Sequence, residues 1–105
     1  LALAEPFARM LLAWAHALKG DLEGAMDAYD AVSDMRDMAI DPQFPLIMEQ
    51  IGAAFAAGGD TDPTLAEHAR AALALAVEFW KRYGQTERSA RCAAELAALS
   101  KDSTA

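Results

Sequence analysis

The chain is poor in cysteine, in β-branched apolar residues and in basic side chains, and each shortage excludes a class of protein. A single cysteine, Cys92, cannot form an internal disulfide and is typical of a reducing compartment such as the cytoplasm. Two valines and three isoleucines, with no alternating pattern, argue against a β-sheet. Nine Lys and Arg against 16 Asp and Glu make nucleic acid and anionic membranes poor partners.

Several recognisable signals are also missing. No apolar run approaches the roughly 20 residues that cross a bilayer, and no signal peptide is visible. No glycine-rich phosphate loop, serine nucleophile elbow or H-E-x-x-H zinc motif occurs. The sequence therefore predicts a protein that is not an enzyme and holds no cofactor or metal. Because the chain begins at Leu1 rather than Met, we also expect it to be a piece of a longer protein.

Alanine is the most frequent residue in the chain. It fills 26 of the 105 positions, and it is the residue that most favours helix. Small side chains also allow helices to pack closely. The sequence predicts one all-α domain over residues 1–105.

Helix-breaking residues divide the chain. Gly20-Asp21 and Gly58-Gly59 are typical of helix ends, and Asp41-Pro42 stops a helix because a residue before proline avoids the α region. Asp62-Pro63 pairs an N-cap acid with a proline at the first helical position, and Gly84 ends the following helix. These signals predict about five antiparallel helices, over residues 1–19, 21–39, 45–58, 63–83 and 86–99.

The first helix pair resembles a tetratricopeptide repeat, which pairs two antiparallel helices in about 34 residues. The stretch that carries W-x2-L-G-x2-Y in that family corresponds here to Arg9, Leu12, Ala13 and His16, where the leucine and the small residue match. The family's Gly-Asp turn matches Gly20-Asp21, and its later small and aromatic positions match Ala25 and Tyr29.

The second helix pair fits the same pattern more fully. Met48, Ile51, Gly52 and Phe55 correspond to the motif, and Gly59-Asp60 falls on the turn. The resemblance covers residues 7–83 and implies a right-handed superhelix of helix–turn–helix units. It divides the chain into a first repeat over about 5–41, a second over about 42–84, and a terminal helix over about 85–100.

The C-terminal part resembles the closing repeats of bacterial regulators. Residues 74–99 combine an aromatic-rich helix, a glycine break at Gly84 and an Arg- and Ala-rich helix. Such arrays lie beside ATPase and DNA-binding domains in LuxR-type and related activators. This resemblance implies a part in signal transduction within a larger bacterial protein.

A partner groove is the main functional expectation. In the repeat family, the first helix of each pair lines the concave surface, and the resemblance carries that role to the first and third helices. The residues so assigned are Phe7, Met10, Trp14, Leu18, Leu46, Glu49 and Ala53. Such a groove could hold an apolar helix or peptide. The alternative is that these side chains pack against a neighbouring repeat or a second subunit.

The second helix carries a row of carboxylates. Glu23, Asp27, Asp30, Asp34 and Asp37 are spaced by three or four residues and share one face. A solvated face and a docking surface for a basic partner are both open interpretations. A straight row does not converge as a hard-cation site requires, so metal binding is not expected.

Three further residues could have carried chemistry. His16 takes the place of an aromatic in the repeat motif and is predicted to pack in the core, while His68 lies on a mixed face. Neither has a second ligand at zinc-binding spacing. Cys92 lies on an Ala/Leu face and is predicted to be a small buried hydrophobic residue, not a nucleophile.

These observations favour a non-catalytic protein–protein interaction module. Its partner would be a protein or peptide, which includes a second copy of the chain in a homodimer. The alternative is a helical sensor domain that holds a small apolar ligand between Trp14, Phe55 and Trp80.

Overall fold

The computed structural model describes residues 4–31, 43–59 and 62–104, and over these residues it contains five α-helices and no strand. In chain order they are α1 (Ala4–Leu18), α2 (Leu22–Asp30), α3 (Gln43–Gly58), α4 (Pro63–Arg82) and α5 (Thr86–Thr104). The all-α prediction is confirmed. None of the described helices is both long enough and apolar enough to cross a membrane.

Two glycines close helices as predicted. Gly20 has φ +83° and Gly84 has φ +74°, a left-handed conformation that a side chain would strain. The amide of Asp21 then donates to the carbonyl of His16 at 2.9 Å, and the amide of Gln85 donates to that of Trp80 at 2.8 Å. These bonds satisfy carbonyls that would otherwise lack a partner at the ends of α1 and α4.

Two aspartates start helices as predicted. The Asp21 carboxylate accepts from the Gly24 amide at 3.0 Å, and the Asp62 carboxylate accepts from the Thr64 amide at 2.9 Å. Pro63 occupies the first turn of α4, where its missing N–H costs no hydrogen bond. Local sequence signals therefore account for the starts of both helices.

The Asp62 cap makes a measurable contribution to stability. We expect Asp62→Ala to lower the free energy of unfolding by about 1 kcal/mol, because the Thr64 amide loses its acceptor. Asp62→Asn keeps an acceptor oxygen and should stay close to wild type. Urea unfolding followed by circular dichroism measures both. Equal losses in the two variants would contradict the capping role.

The predicted ends of α2 and α5 have different outcomes. α2 ends at Asp30, with Ala31 as its C-cap, and the predicted continuation over residues 32–39 lies outside the described residues. α5 runs to Thr104, five residues beyond the predicted end at Leu99.

The helices pack in a consistent order. α3 makes its most extensive contacts with α4, α4 also packs on α5, and α1 contacts both α2 and α3. At Gly52 a side chain would collide with α4, since an added Cβ would lie 2.9 Å from Leu73 Cγ. The small residue predicted at this position therefore lets α3 and α4 approach closely.

A phenylalanine cluster joins three helices in the core. Phe44 of α3 is fully buried, and its ring centroid lies 6.3 Å from that of Phe7 on α1 and 5.5 Å from that of Phe79 on α4. The other large side chains that are fully buried include Met10, Met48, Ile51, Phe55 and Leu73. The core thus lies mainly between α3 and α4, with α1 closing one side.

Candidate functional site

The predicted groove residues of α1 differ in exposure. Met10 is fully buried and belongs to the core, while Phe7 and Trp14 are half-buried and pack against it. Leu18, in the last turn, is 73% exposed. A partner could therefore contact Leu18 directly, whereas Met10 could act only by supporting the surface from beneath.

The predicted residues of α3 lie on its outer face. Leu46 is 36% exposed, Ala53 is exposed and Glu49 is half-buried. The adjacent face of α3, which includes Gly52, packs against α4. Leu46, Glu49 and Ala53 are spaced by three and four residues, so they form a continuous row along the helix.

The exposed row of α3 and the predicted groove residues of α1 lie on neighbouring helices. The contact between the Phe7 and Phe44 rings places one edge of α1 against α3, and Phe7, Trp14 and Leu18 share that edge at helical spacing. The other edge of α1 faces α2, because His16 Nδ1 lies 3.0 Å from the Asp21 carboxylate at the start of α2. We call the surface formed by Phe7, Trp14, Leu18, Leu46, Glu49 and Ala53 the α1/α3 groove.

Sequence reasoning missed one member of this groove. Leu11 is 40% exposed and lies one turn after Phe7 and two turns before Leu18, on the same edge of α1. Its spacing to these residues was the available signal. Leu12 is 52% exposed, but it points about 100° further around the helix and lies away from this edge.

Glu49 connects α3 to both later helices. Its Oε1 accepts a hydrogen bond from Trp80 Nε1 on α4 at 3.2 Å and another from Cys92 Sγ on α5 at 3.1 Å. Arg88 of α5 covers the Trp80 ring, with its guanidinium carbon 4.7 Å from the ring centroid. A carboxylate at the edge of the groove is thus fixed by two donors that lie far away in sequence.

Cys92 is buried as predicted, at 1% exposure, and it also donates to Glu49. Burial, followed by the hydrogen bond and charge of Glu49, raises the pKa of the Cys92 thiol to about 12. The thiol stays protonated at neutral pH and is a hydrogen-bond donor rather than a thiolate nucleophile. The sequence pattern indicated its burial but not this contact.

The described part of the acidic row is exposed. Glu23, Asp27 and Asp30 are exposed on α2, while Asp34 and Asp37 lie outside the described residues. Asp30 is engaged internally, because its carboxylate lies 2.9 Å from His68 Nε2 on α4. Among the residues that the structure describes, no three His, Cys, Asp or Glu side chains are grouped to hold a metal ion.

His68 links α2 to α4. Its Nδ1 lies 2.8 Å from the Thr64 carbonyl and its Nε2 lies 2.9 Å from the Asp30 carboxylate, both of which are acceptors. The Tyr29 and Phe55 rings pack edge-to-face against the imidazole, with centroid distances of 5.8 and 5.6 Å. Two acceptors require two N–H donors, so the geometry suits the imidazolium form.

The surroundings favour that charged form. Burial lowers the pKa of His68, but the hydrogen bonds to Thr64 and Asp30 and the charges of Asp30 and Glu67 together raise it above 6.5. Sequence analysis did not assign His68 a partner, because Asp30 lies 38 residues away. His16 was predicted to be a core residue; it is instead one-third exposed and paired with Asp21, so that prediction is wrong.

The His68 link predicts a pH dependence. Because its pKa is higher in the folded state, its stabilisation is fully present below pH 6.5 and is lost as the pH rises through the folded pKa. We expect the free energy of unfolding to fall as the pH rises from 6.5 through the folded-state pKa of His68, and His68→Gln to flatten this change. Urea titrations of wild type and His68→Gln across this pH range measure it. An unchanged slope in His68→Gln would refute the link.

The three aromatic residues considered as a ligand site have other contacts. Phe55 is fully buried and packs edge-to-face against Tyr29, with ring centroids 6.0 Å apart. Trp80 is 5% exposed and is bonded to Glu49. Trp14 is half-buried, and its indole N–H has no partner among the described residues.

Comparison with known proteins gives no match among family models, curated proteins or solved structures. The tetratricopeptide-like and LuxR-type relationships therefore remain predictions.

Proposed function

We propose that the chain is a protein–protein interaction module that holds an apolar helical segment of a partner in the α1/α3 groove. The observation that carries this proposal is the placement of its exposed leucines. Within the described residues, the large apolar side chains that are exposed are Leu11, Leu12, Leu18 and Leu46, and three of them lie along this groove. Clustered exposed apolar side chains mark interaction sites in soluble proteins.

The helix arrangement also supports a groove. α1 and α3 are neighbours, and α3 reaches α5 through Glu49 and Cys92, so the outer row of α3 has a helix on each side. An amphipathic helix that docks in such a channel presents apolar residues at intervals of three and four. The resemblance to tetratricopeptide repeats assigns the same two helices to a concave binding surface.

The wider setting follows from charge and resemblance. With a net charge of −7, we propose a protein partner rather than nucleic acid or a membrane surface. We further propose that the module is non-catalytic and cytoplasmic and acts within a larger bacterial regulatory protein. The exposed acids of α2, Glu23 and Asp27, add a negative flank that favours basic partners.

A defined probe tests the proposal. A synthetic amphipathic peptide of about 18 residues spans about 27 Å as a helix, and leucines at every third and fourth position give it one apolar row. We place glutamine at the centre of that row. Calorimetric titration should show one peptide bound per chain with a negative heat-capacity change, the signature of apolar burial. Absence of binding, or binding with no heat-capacity change, would reject the proposal.

A further inference from the structure

We propose that the α1/α3 groove selects a helix that carries one arginine or lysine in its apolar row, and that this base pairs with Glu49. The inference rests on the proposed function, because it requires that a helix docks in the groove. It adds the chemistry of the occupant: a partner helix that is apolar except for a single cation near its centre.

The first support is the state of the Glu49 carboxylate. It is half-buried on α3, and both of its hydrogen bonds come from neutral donors, Trp80 Nε1 and Cys92 Sγ, which meet at the same oxygen. Within the part of the chain that the structure describes, Glu49 forms no ion pair. A carboxylate that is partly withdrawn from water and lacks a cation gains free energy when a partner supplies one.

The second support is the position of Glu49 in the groove. Leu46 precedes it by three residues and Ala53 follows it by four, so the charge lies within an apolar row and not at the end of one. A docked helix that covers Leu46 and Ala53 therefore also covers Glu49. If that helix were entirely apolar, it would bury the carboxylate without a charged partner.

The third support concerns the nearby cation of α5. Arg88 lies over the Trp80 ring at 4.7 Å and does not bond to Glu49. The Trp80 indole is held between these two interactions, with its N–H directed to the carboxylate and its face covered by the guanidinium. The Glu49 carboxylate is thus held in one orientation, but no cation among the described residues pairs with it. This is the arrangement expected of a group that recognises a charged partner.

The experiment combines two peptides with two proteins. The glutamine peptide defined above is compared with an otherwise identical peptide that has arginine at the central position. Glu49→Gln removes the charge but keeps an oxygen that can accept from Trp80 and Cys92. We expect the arginine peptide to bind wild type about tenfold more tightly than the glutamine peptide, the effect of one charge-assisted hydrogen bond. In Glu49→Gln the two affinities should become equal.

A matched control separates local pairing from general attraction to an acidic protein. Glu67→Gln removes the same charge from α4, at an exposed position that belongs neither to the α1/α3 groove nor to the acidic face of α2. The tenfold preference should survive in this variant. If Glu67→Gln reduces the preference as much as Glu49→Gln does, the attraction is non-specific and the proposal is overturned.

Further outcomes separate docking in the groove from the selection of a base by Glu49. If both peptides bind wild type equally, the groove exists but Glu49 does not select a base, and only this inference fails. If neither peptide binds, the proposed function fails with it. A wild-type protein that forms dimers by sedimentation, which the arginine peptide does not dissociate, would show that a second copy occupies the groove and would also overturn the inference.

A third peptide keeps the test independent of any protein variant. It has glutamate at the central position and should bind wild type more weakly than the glutamine peptide, because two carboxylates would then face each other. Affinity equal to that of the glutamine peptide would overturn the proposal even if Glu49→Gln failed to fold.

Discussion

Phe44→Ala should lower the free energy of unfolding by about 3 to 5 kcal/mol, the cost of emptying a fully buried aromatic site. Phe44 has no exposed surface and contacts Phe7 on α1 and Phe79 on α4, so its loss leaves a cavity where three helices meet. A domain of this size has a total stability of about 5 to 15 kcal/mol, so the loss should be plain in a urea titration followed by circular dichroism.

The same helix offers a matched control. Leu46 lies two residues later, is 36% exposed and points to the groove, so Leu46→Ala should cost only about 1 kcal/mol or less. Comparable losses in the two variants would contradict the placement of the core between α3 and α4. The result also matters for function, since Phe44 positions the edge of α1 that lines the groove.

Leu18→Glu should weaken binding of the glutamine peptide by about thirtyfold. The substitution removes an apolar contact and places a carboxylate in an apolar interface, effects that together amount to about 2 kcal/mol. Because Leu18 is 73% exposed, the free energy of unfolding should stay within about 0.5 kcal/mol of wild type. Trp14 is a less suitable test position, since its half-buried ring also packs against the core.

Leu12→Glu is the control for this variant. Leu12 is 52% exposed on the same helix but lies off the edge that faces α3, so its substitution makes an equal chemical change outside the groove. Peptide affinity should be nearly unaffected. If Leu12→Glu weakens binding as much as Leu18→Glu does, the peptide docks elsewhere on α1 and the groove assignment is wrong.

Helix boundaries were predictable wherever a local signal sets them. Gly20 and Gly84 end helices because they adopt positive φ, and Asp21 and Asp62 start helices because their carboxylates accept nearby amides. Each signal acts within a few residues and can be read from the sequence alone.

Side-chain contacts were much less predictable. The sequence placed Glu49 on the outer row of α3, but its bonds to Trp80 and Cys92 span 31 and 43 residues. The His68–Asp30 pair likewise spans 38 residues and depends on how α2 packs against α4. Helical periodicity indicates which face a residue occupies; it does not indicate which residue of another helix will meet it.

The α1/α3 groove was predicted only in part from the sequence. The repeat resemblance assigned Phe7 to a partner groove, and the structure places its ring against Phe44, on the edge of α1 that meets α3. The resemblance also included Met10, which is fully buried, and omitted Leu11, which is exposed. Exposure at a helix edge depends on how closely the neighbouring helix approaches, and that distance is set by tertiary packing.

The most direct test of the groove is a map of the bound peptide on the protein. Amide chemical shifts of isotope-labelled protein can be followed by NMR as the glutamine peptide is added. We expect the largest shift changes to fall on α1 around Leu11 and Leu18 and on α3 around Leu46 and Ala53. Changes concentrated instead on the acidic face of α2, around Glu23 and Asp27, would contradict the groove assignment.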